Sequence, residues 1–277
     1  MNYKLIILLL ISFQSFSEDR PLLKIDEIDK YGTFCPNDKN KKYGHHLFFV
    51  DTTTPLSKNQ ITWIKNNLFD VEIIKEIAPY DRISVYQITG RDQEANENEP
   101  IFKSCRPLTG TEDTKYKIDQ GNSWYGPTKG ELKRVWNRFV KTWDLSSIET
   151  TEKGSYSVII ESILEASRLS SFDFGDDYEY RRLVIVSDLI QSSSKMSFYD
   201  TCDKDQFPDW NNFKETSKYK NLFEFYIPKF NDSVDVEIYY LNSKCDPFLN
   251  KGVREFWNGY FADAGLSNVR WLPETTR

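Results

Sequence analysis

The chain has 277 residues, of which 39% are hydrophobic and 15% aromatic, enough to bury a sizeable core and too much for a disordered polymer. Its formal net charge of −6, with lysines interleaved among Asp, Glu and Asn, leaves no basic stripe of the kind a nucleic-acid footprint requires. Length alone admits one large α/β domain or two small ones.

Residues 1–17 read as a secretory signal peptide. Lys4 supplies a short positive region, Leu5 to Ile11 is unbroken apolar, and Ser15 and Ser17 are small residues at the last positions before a cut. The apolar run is far short of the roughly 20 residues that cross a bilayer, so no stable membrane span is expected after cleavage. Residues 18–44 follow as an irregular, polar lead-in. Cys35, Cys105, Cys202 and Cys245 all lie after the leader and in turn-rich surroundings. In an exported chain they allow disulfides in three connectivities, and no C-x-x-C spacing points to zinc.

The main domain is expected over 45–277. His46 to Val50 forms a first strand: Leu47-Phe48-Phe49-Val50 is a continuous apolar run, as in a strand buried on both faces, and it ends on Asp51. Thr52, Thr53, Thr54 and Pro55 then break the strand. Ser57 and Gln60 form a capping box for a helix with Ile61, Ile64 and Leu68 on one face. Ile83 to Ile88 is a second strand. Residues 91–126 have no periodicity and read as a long insertion. Thr128 and Glu131 cap the clearest amphipathic helix, with Leu132, Val135, Trp136, Phe139, Val140 and Trp143 at helical spacing. Ser155 opens another helix through Val158, Ile159, Ile163 and Ala166. Leu183 to Ser187 is a further apolar strand, delivering Asp188. Residues 189–232 form a second insertion, with a helix near 214–225 and an aromatic run (Phe223, Phe225, Tyr226, Phe230) that suits either core or partner surface. Val234, Val236, Ile238 and Tyr240 alternate as a strand, and a helix from Val253 to Ala264 stops at Gly265. Val269 to Leu272 is a last short strand. Strands alternating with helices predict an α/β fold, a doubly wound and mostly parallel sheet flanked by helices.

Asp51, Thr53, Ser155 and Asp188 share one chemical logic. Carboxylates and hydroxyls at one edge of a sheet are the oxygen ligands that a hard divalent cation takes. Each has a structural alternative: Asp51 and Asp188 as turn or helix caps, Ser155 as an N-cap. His45 and His46, the chain's two histidines, point to opposite faces of a strand, which argues against a shared catalytic site and suits surface residues. No nucleophile elbow, phosphate-binding loop or dinucleotide fingerprint occurs.

The order of an apolar strand ending in Asp51-x-Thr53, a helix opened by Ser155, and an apolar strand ending in Asp188 resembles the metal-ion-dependent adhesion site of von Willebrand factor A (vWA) domains. The stretches Phe49 to Leu56, Arg182 to Gln191 and Arg254 to Trp257 are similar to an uncharacterised bacterial exported branch of that family. The resemblance implies a vWA-like, Rossmann-like fold and a non-enzymatic role. It further implies Mg²⁺ or Mn²⁺ at Asp51, Thr53, Ser155 and Asp188, and a partner protein whose Asp or Glu carboxylate completes the metal's shell. The leader places the protein in the periplasm or outside the cell. Two positions depart from the family pattern: Pro55 replaces the third hydroxyl, leaving Thr54 one residue out of phase, and Leu189 replaces the glycine after the last aspartate. Two alternatives are a metal-independent scaffold of an envelope or secretion assembly, and a haloacid-dehalogenase-like phosphatase using Asp51. The second lacks the aspartate such enzymes carry two residues further on, where this chain has Thr53.

Overall fold

A computed structural model describes residues 23–89, 99–111, 128–143, 145, 148, 156–170, 172–175, 177–194, 196–199, 207, 209–216, 220, 226–230, 234–241 and 249–275. The expected signal peptide, Cys202, Cys245 and Ser155 lie outside the described residues.

The strands are β1 (Gly44–Asp51), β2 (Arg82–Ile88), β3 (Phe102–Cys105), β4 (Tyr180–Ser187), β5 (Val234–Leu241) and β6 (Val269–Thr275). They form one six-stranded sheet in the order β3-β2-β1-β4-β5-β6. Every neighbouring pair is parallel except β2 with β3, which is antiparallel. The helices are α1 (Lys58–Leu68), α2 (Val71–Ile74), α3 (Lys129–Thr142), α4 (Ile159–Ala166), α5 (Trp210–Glu215) and α6 (Leu249–Asp263).

Side-chain alternation along the strands builds a core on each face. Leu47, Phe49, Leu183, Ile185, Val236 and Ile238 join Ile159 and Ile163 of α4, Trp210 and Phe213 of α5, and Phe256, Trp257 and Tyr260 of α6. On the other face Phe48, Val50, Val184 and Val186 pack with Ile64 and Leu68 of α1, Ile74 of α2, and Leu132, Trp136 and Phe139 of α3. This is the doubly wound α/β arrangement. It explains why β1 and β4, buried on both faces, are continuous apolar runs.

Both capping boxes form: Ser57 and Gln60 exchange side-chain and backbone bonds at α1, as do Thr128 and Glu131 at α3. Gly265 closes α6 at φ +79°, the left-handed geometry of a helix stop. Two expectations change, the first insertion and the start of α4. The 91–126 stretch contributes β3, a four-residue edge strand, rather than only a loop. In the second insertion α5 covers Trp210–Glu215, and most of the helix expected near 214–225 lies outside the described residues. Helix α4 is capped by Val158, whose side chain makes no cap bond, so the helix starts later than Ser155. Of the aromatic run, Tyr226 and Phe230 are buried in the core, and Phe223 and Phe225 lie outside the described residues.

The lead-in is tied down over the sheet edge. Cys35 is disulfide-bonded to Cys105 of β3, and the Thr33 carbonyl accepts from the Cys105 amide at 2.7 Å and from Ser104 Oγ at 2.7 Å. Phe34 is buried edge-on against Phe139.

His45 and His46 are buried rather than superficial, because β1 is central and its first residues are covered by neighbouring segments. The Asp173 carbonyl, 2.8 Å from His45 Nδ1, can only accept, so Nδ1 carries the proton and Nε2 accepts from Ser84 Oγ at 2.9 Å. That neutral form is stable here: burial, with the nearby Arg82 charge, pushes the His45 pKa down to about 3. Burial also lowers the His46 pKa, although Asp81, 3.0 Å from its Nε2, pulls the other way. An unfolded histidine titrates near pH 6.5, so below that value the unfolded chain takes up protons that the native chain refuses. Stability is therefore expected to fall as pH drops from about 6.5 toward 3, by about 1.4 kcal/mol per pH unit from His45 alone. Urea unfolding at pH 7, 6 and 5 checks this; a midpoint unchanged across that series would contradict it.

Candidate cation-binding site

Chain direction reverses across the sheet between β1 and β4. From β1 the chain moves outward through β2 to β3; from β4 it moves the other way through β5 to β6. Open α/β sheets bind ligands in the crevice beyond the carboxyl ends of the strands at such a switch point. Asp51 is the last residue of β1 and Asp188 directly follows β4, so the topology brings the two predicted carboxylates to that crevice.

Asp51 is buried and accepts four hydrogen bonds. Oδ1 takes Thr53 Oγ1 at 2.6 Å and the Thr53 amide at 3.0 Å. Oδ2 takes Ser187 Oγ at 2.6 Å and Ser157 Oγ at 3.0 Å. Asp188 Oδ1 accepts the Ile190 amide at 3.0 Å, and Oδ2 accepts Thr54 Oγ1 at 3.3 Å. Both aspartates thus close local turns onto the amide two residues ahead, realising part of the turn-capping alternative. Neither caps a helix.

Ser157 and Ser187, which sequence reasoning did not assign to the site, are both fully buried. Ser157 is positioned by a two-way backbone pairing with Ser192, at 2.7 and 2.8 Å. Ser187 ends β4 and its Oγ also accepts the Leu189 amide at 2.8 Å. The available signal was position: Ser187 adjoins Asp188, and Ser157 lies two residues beyond Ser155. Leu189 holds φ +59°, the left-handed conformation that glycine adopts at no steric cost. Its buried side chain joins the core, and its carbonyl accepts Trp257 Nε1 at 3.1 Å.

The electrostatics favour a cation. Asp51 has only neutral donors, with no Lys or Arg among its partners in the described residues. A buried carboxylate without a countercharge is costly, and a bound cation relieves that cost. A hydroxyl has one proton, and those of Thr53, Ser157 and Ser187 point at Asp51 while that of Thr54 points at Asp188. Their oxygens can therefore only accept, or ligate, with what remains. Asp51, Thr54 and Asp188, with Pro55 and Gln60, line a cleft of about 10 Å³, the room of a single water-sized sphere. No group of three or more His, Cys, Asp or Glu side chains that could hold a metal gathers among the described residues. A set of two carboxylates and several hydroxyls suits Mg²⁺, which keeps waters and takes one or two protein carboxylates.

The fold and this crevice define a doubly wound α/β domain with a carboxylate–hydroxyl site at its switch point. No family model matches the chain, and neither does any curated protein. Among solved structures, the ArnB paralog VWA2 from Sulfolobus acidocaldarius aligns with 84% of this chain and 42% of its own, at 13% identity and a TM-score of 0.38. The human COPII-coat protein Sec24c aligns with 91% of this chain and 32% of its own, at 11% identity and a TM-score of 0.38. The chain spans less than half the length of either protein. Among the described residues no helix is long and apolar enough to cross a membrane.

Proposed function

We propose that the chain is an exported, vWA-like protein-binding domain that engages its partner through Mg²⁺ or Mn²⁺ at the switch-point crevice. Asp51 and Asp188 supply the charge. Thr53 and Ser157 supply hydroxyls, and Ser155, the expected helix-opening ligand, lies outside the described residues. A bound metal would offer an open coordination position to a carboxylate of the partner. The chain's own residues bind and orient; no bond is made or broken, so the role is not enzymatic. The observation that carries this reading is a buried Asp51 surrounded by four neutral donors and no countercharge. As a phosphatase nucleophile Asp51 is poorly suited, since both its oxygens are held by hydrogen bonds. Export, to the periplasm or beyond, is supported by the apolar leader and by the Cys35–Cys105 disulfide, which persists in oxidising compartments.

A second reading, the metal-independent scaffold, is favoured by the same four hydrogen bonds, which satisfy Asp51 as a structural cross-link between β1, β4 and the Ser157 loop. Affinity capture on the immobilised chain separates the two. A partner retained in Mg²⁺, released by EDTA and not held by Asp188→Asn is expected. A partner retained equally in EDTA contradicts the cation reading and leaves the scaffold.

A further inference from the structure

A larger cleft opens at the opposite edge of the sheet, where β1 and β2 begin and the antiparallel β3 ends. Its volume is about 470 Å³, within the range of about 300–1,000 Å³ typical of small-molecule sites. The lead-in forms one wall through the Cys35–Cys105 disulfide and the lysines that follow it. Tyr43 and Tyr80, before β1 and β2, and the segment before β4 form the others.

The cleft carries four cations, Lys39, Lys41, Lys42 and Arg82, against three carboxylates, and its carboxylates are already engaged. Asp173 Oδ1 accepts Lys42 Nζ at 3.0 Å, and Oδ2 meets Tyr178 Oη at 2.8 Å and an Arg82 nitrogen at 3.1 Å. Asp177 accepts the same Lys42 at 3.2 Å, and Asp38 accepts the Asn40 amide at 3.0 Å. The donors are in excess. Arg82, with five N–H groups, meets that one carboxylate and, at 3.8 Å, the weakly accepting Cys35 sulfur. Lys39 and Lys41 are exposed and make no ion pair among the described residues. Asp173 does not cancel the Arg82 charge: burial, and after it Arg82, lowers the pKa of both His45 and Lys103 against the opposing pull of Asp173.

The backbone around the cleft is held in costly conformations. Four non-glycine residues among those described have positive φ; one is Leu189, and the other three border this cleft. Tyr80 at +69° and Asp173 at +50° line it, and Phe34 at +55° precedes Cys35. Such residues gather where a binding surface must be held in shape.

We infer that this cleft binds a small organic anion. Its carboxylate or phosphate group meets Arg82, Lys39 and Lys41, and its body lies along Tyr43, Tyr80 and the disulfide. The site lies at the other end of the strands from Asp51 and Asp188 and does not depend on the cation reading.

The test is calorimetric titration of the chain with phenyl phosphate, phenylacetate and the neutral phenylacetamide. EDTA is present throughout, so that no probe is held by a cation at the switch-point crevice. The anions are expected to bind, with phenylacetamide about tenfold or more weaker, and the tighter anion identifies the group the ligand carries. Arg82→Met should weaken anion binding about tenfold or more. Lys39→Glu and Lys41→Glu, at exposed positions that leave the fold intact, should each weaken it severalfold. Lys58→Glu at the start of α1, an equal change of charge at the carboxyl edge, and Asp188→Asn should bind like the unaltered chain. The inference is overturned if neither anion binds at millimolar concentration, or if phenylacetamide binds as tightly as phenylacetate. It is overturned equally if Lys58→Glu or Asp188→Asn loses as much affinity as Lys41→Glu.

Discussion

Replacing Glu237 by alanine is expected to destabilise the protein by about 3–5 kcal/mol, the usual cost of removing one partner from a buried ion pair. Glu237 is buried on β5, and it bridges two arginines, Arg182 of β4 through Oε2 and Arg270 of β6 through Oε1. Arg182 is buried as well, with its guanidinium 5.8 Å from the Phe48 ring centre, so removing Glu237 takes a carboxylate away from a buried charge. Arg270 is 39% exposed at its side chain and can reorient toward solvent. The loss should therefore come chiefly from Arg182. A double variant, Glu237→Leu with Arg182→Met, removes both buried charges and should be much milder than Glu237→Ala, because apolar replacement of a whole pair is often near neutral. Urea unfolding of the single and double variants checks this. Equal losses in both would show that packing, rather than the broken ion pair, sets the cost. With native stabilities of about 5–15 kcal/mol, the single variant stands close to unfolding.

Breaking the Cys35–Cys105 disulfide is the second large effect, expected at about 4 kcal/mol from the chain entropy of a loop spanning 70 residues. The bond joins the lead-in to the edge strand β3, which has only four residues and pairs with β2 alone. Short edge strands depend on such covers, since their outer backbone groups otherwise face water. Here the Thr33 carbonyl meets that need, and the disulfide keeps Thr33 in place. Cys35→Ser with Cys105→Ser should lower the urea midpoint and increase amide exchange first in β3 and residues 28–36. Protection lost uniformly across the sheet would instead place the disulfide's contribution in the whole cooperative unit.

Central parallel strands were the most legible part of the sequence, because burial on both faces forces unbroken apolar runs such as Leu47 to Val50 and Leu183 to Val186. Amphipathic helices with capping boxes were legible for the same reason: α1 and α3 carry their start signals in four residues. Strand β3 was not, since Phe102–Cys105 includes Lys103 and Ser104 and its pairing is decided by β2 and the lead-in rather than by its own pattern. Within α1 the face was only partly legible: Ile64 and Leu68 are buried as expected, but Gln60 is buried and Ile61 only partly. The two aspartates of the site could be found because strand ends at one sheet edge are predictable. Ser157 and Ser187 could not, since a serine's role depends on which carboxylate the folded chain brings within 3 Å of it. The burial of His45 and His46 escaped notice for a similar reason. Strand-end exposure is set by the segments that close over it, here around Asp173 and Asp81.

A divalent cation held in the switch-point crevice, as proposed, would raise the protein's melting temperature. The most direct measurement is the melting temperature of the chain in EDTA, in Mg²⁺ and in Mn²⁺, beside Asp51→Asn and Asp188→Asn. A ligand that binds only the native state stabilises it by about 2.7 kcal/mol at 100 times its Kd. A metal-dependent rise in the unaltered chain that both substitutions abolish is expected. The same melting temperature in EDTA and in millimolar metal would contradict it.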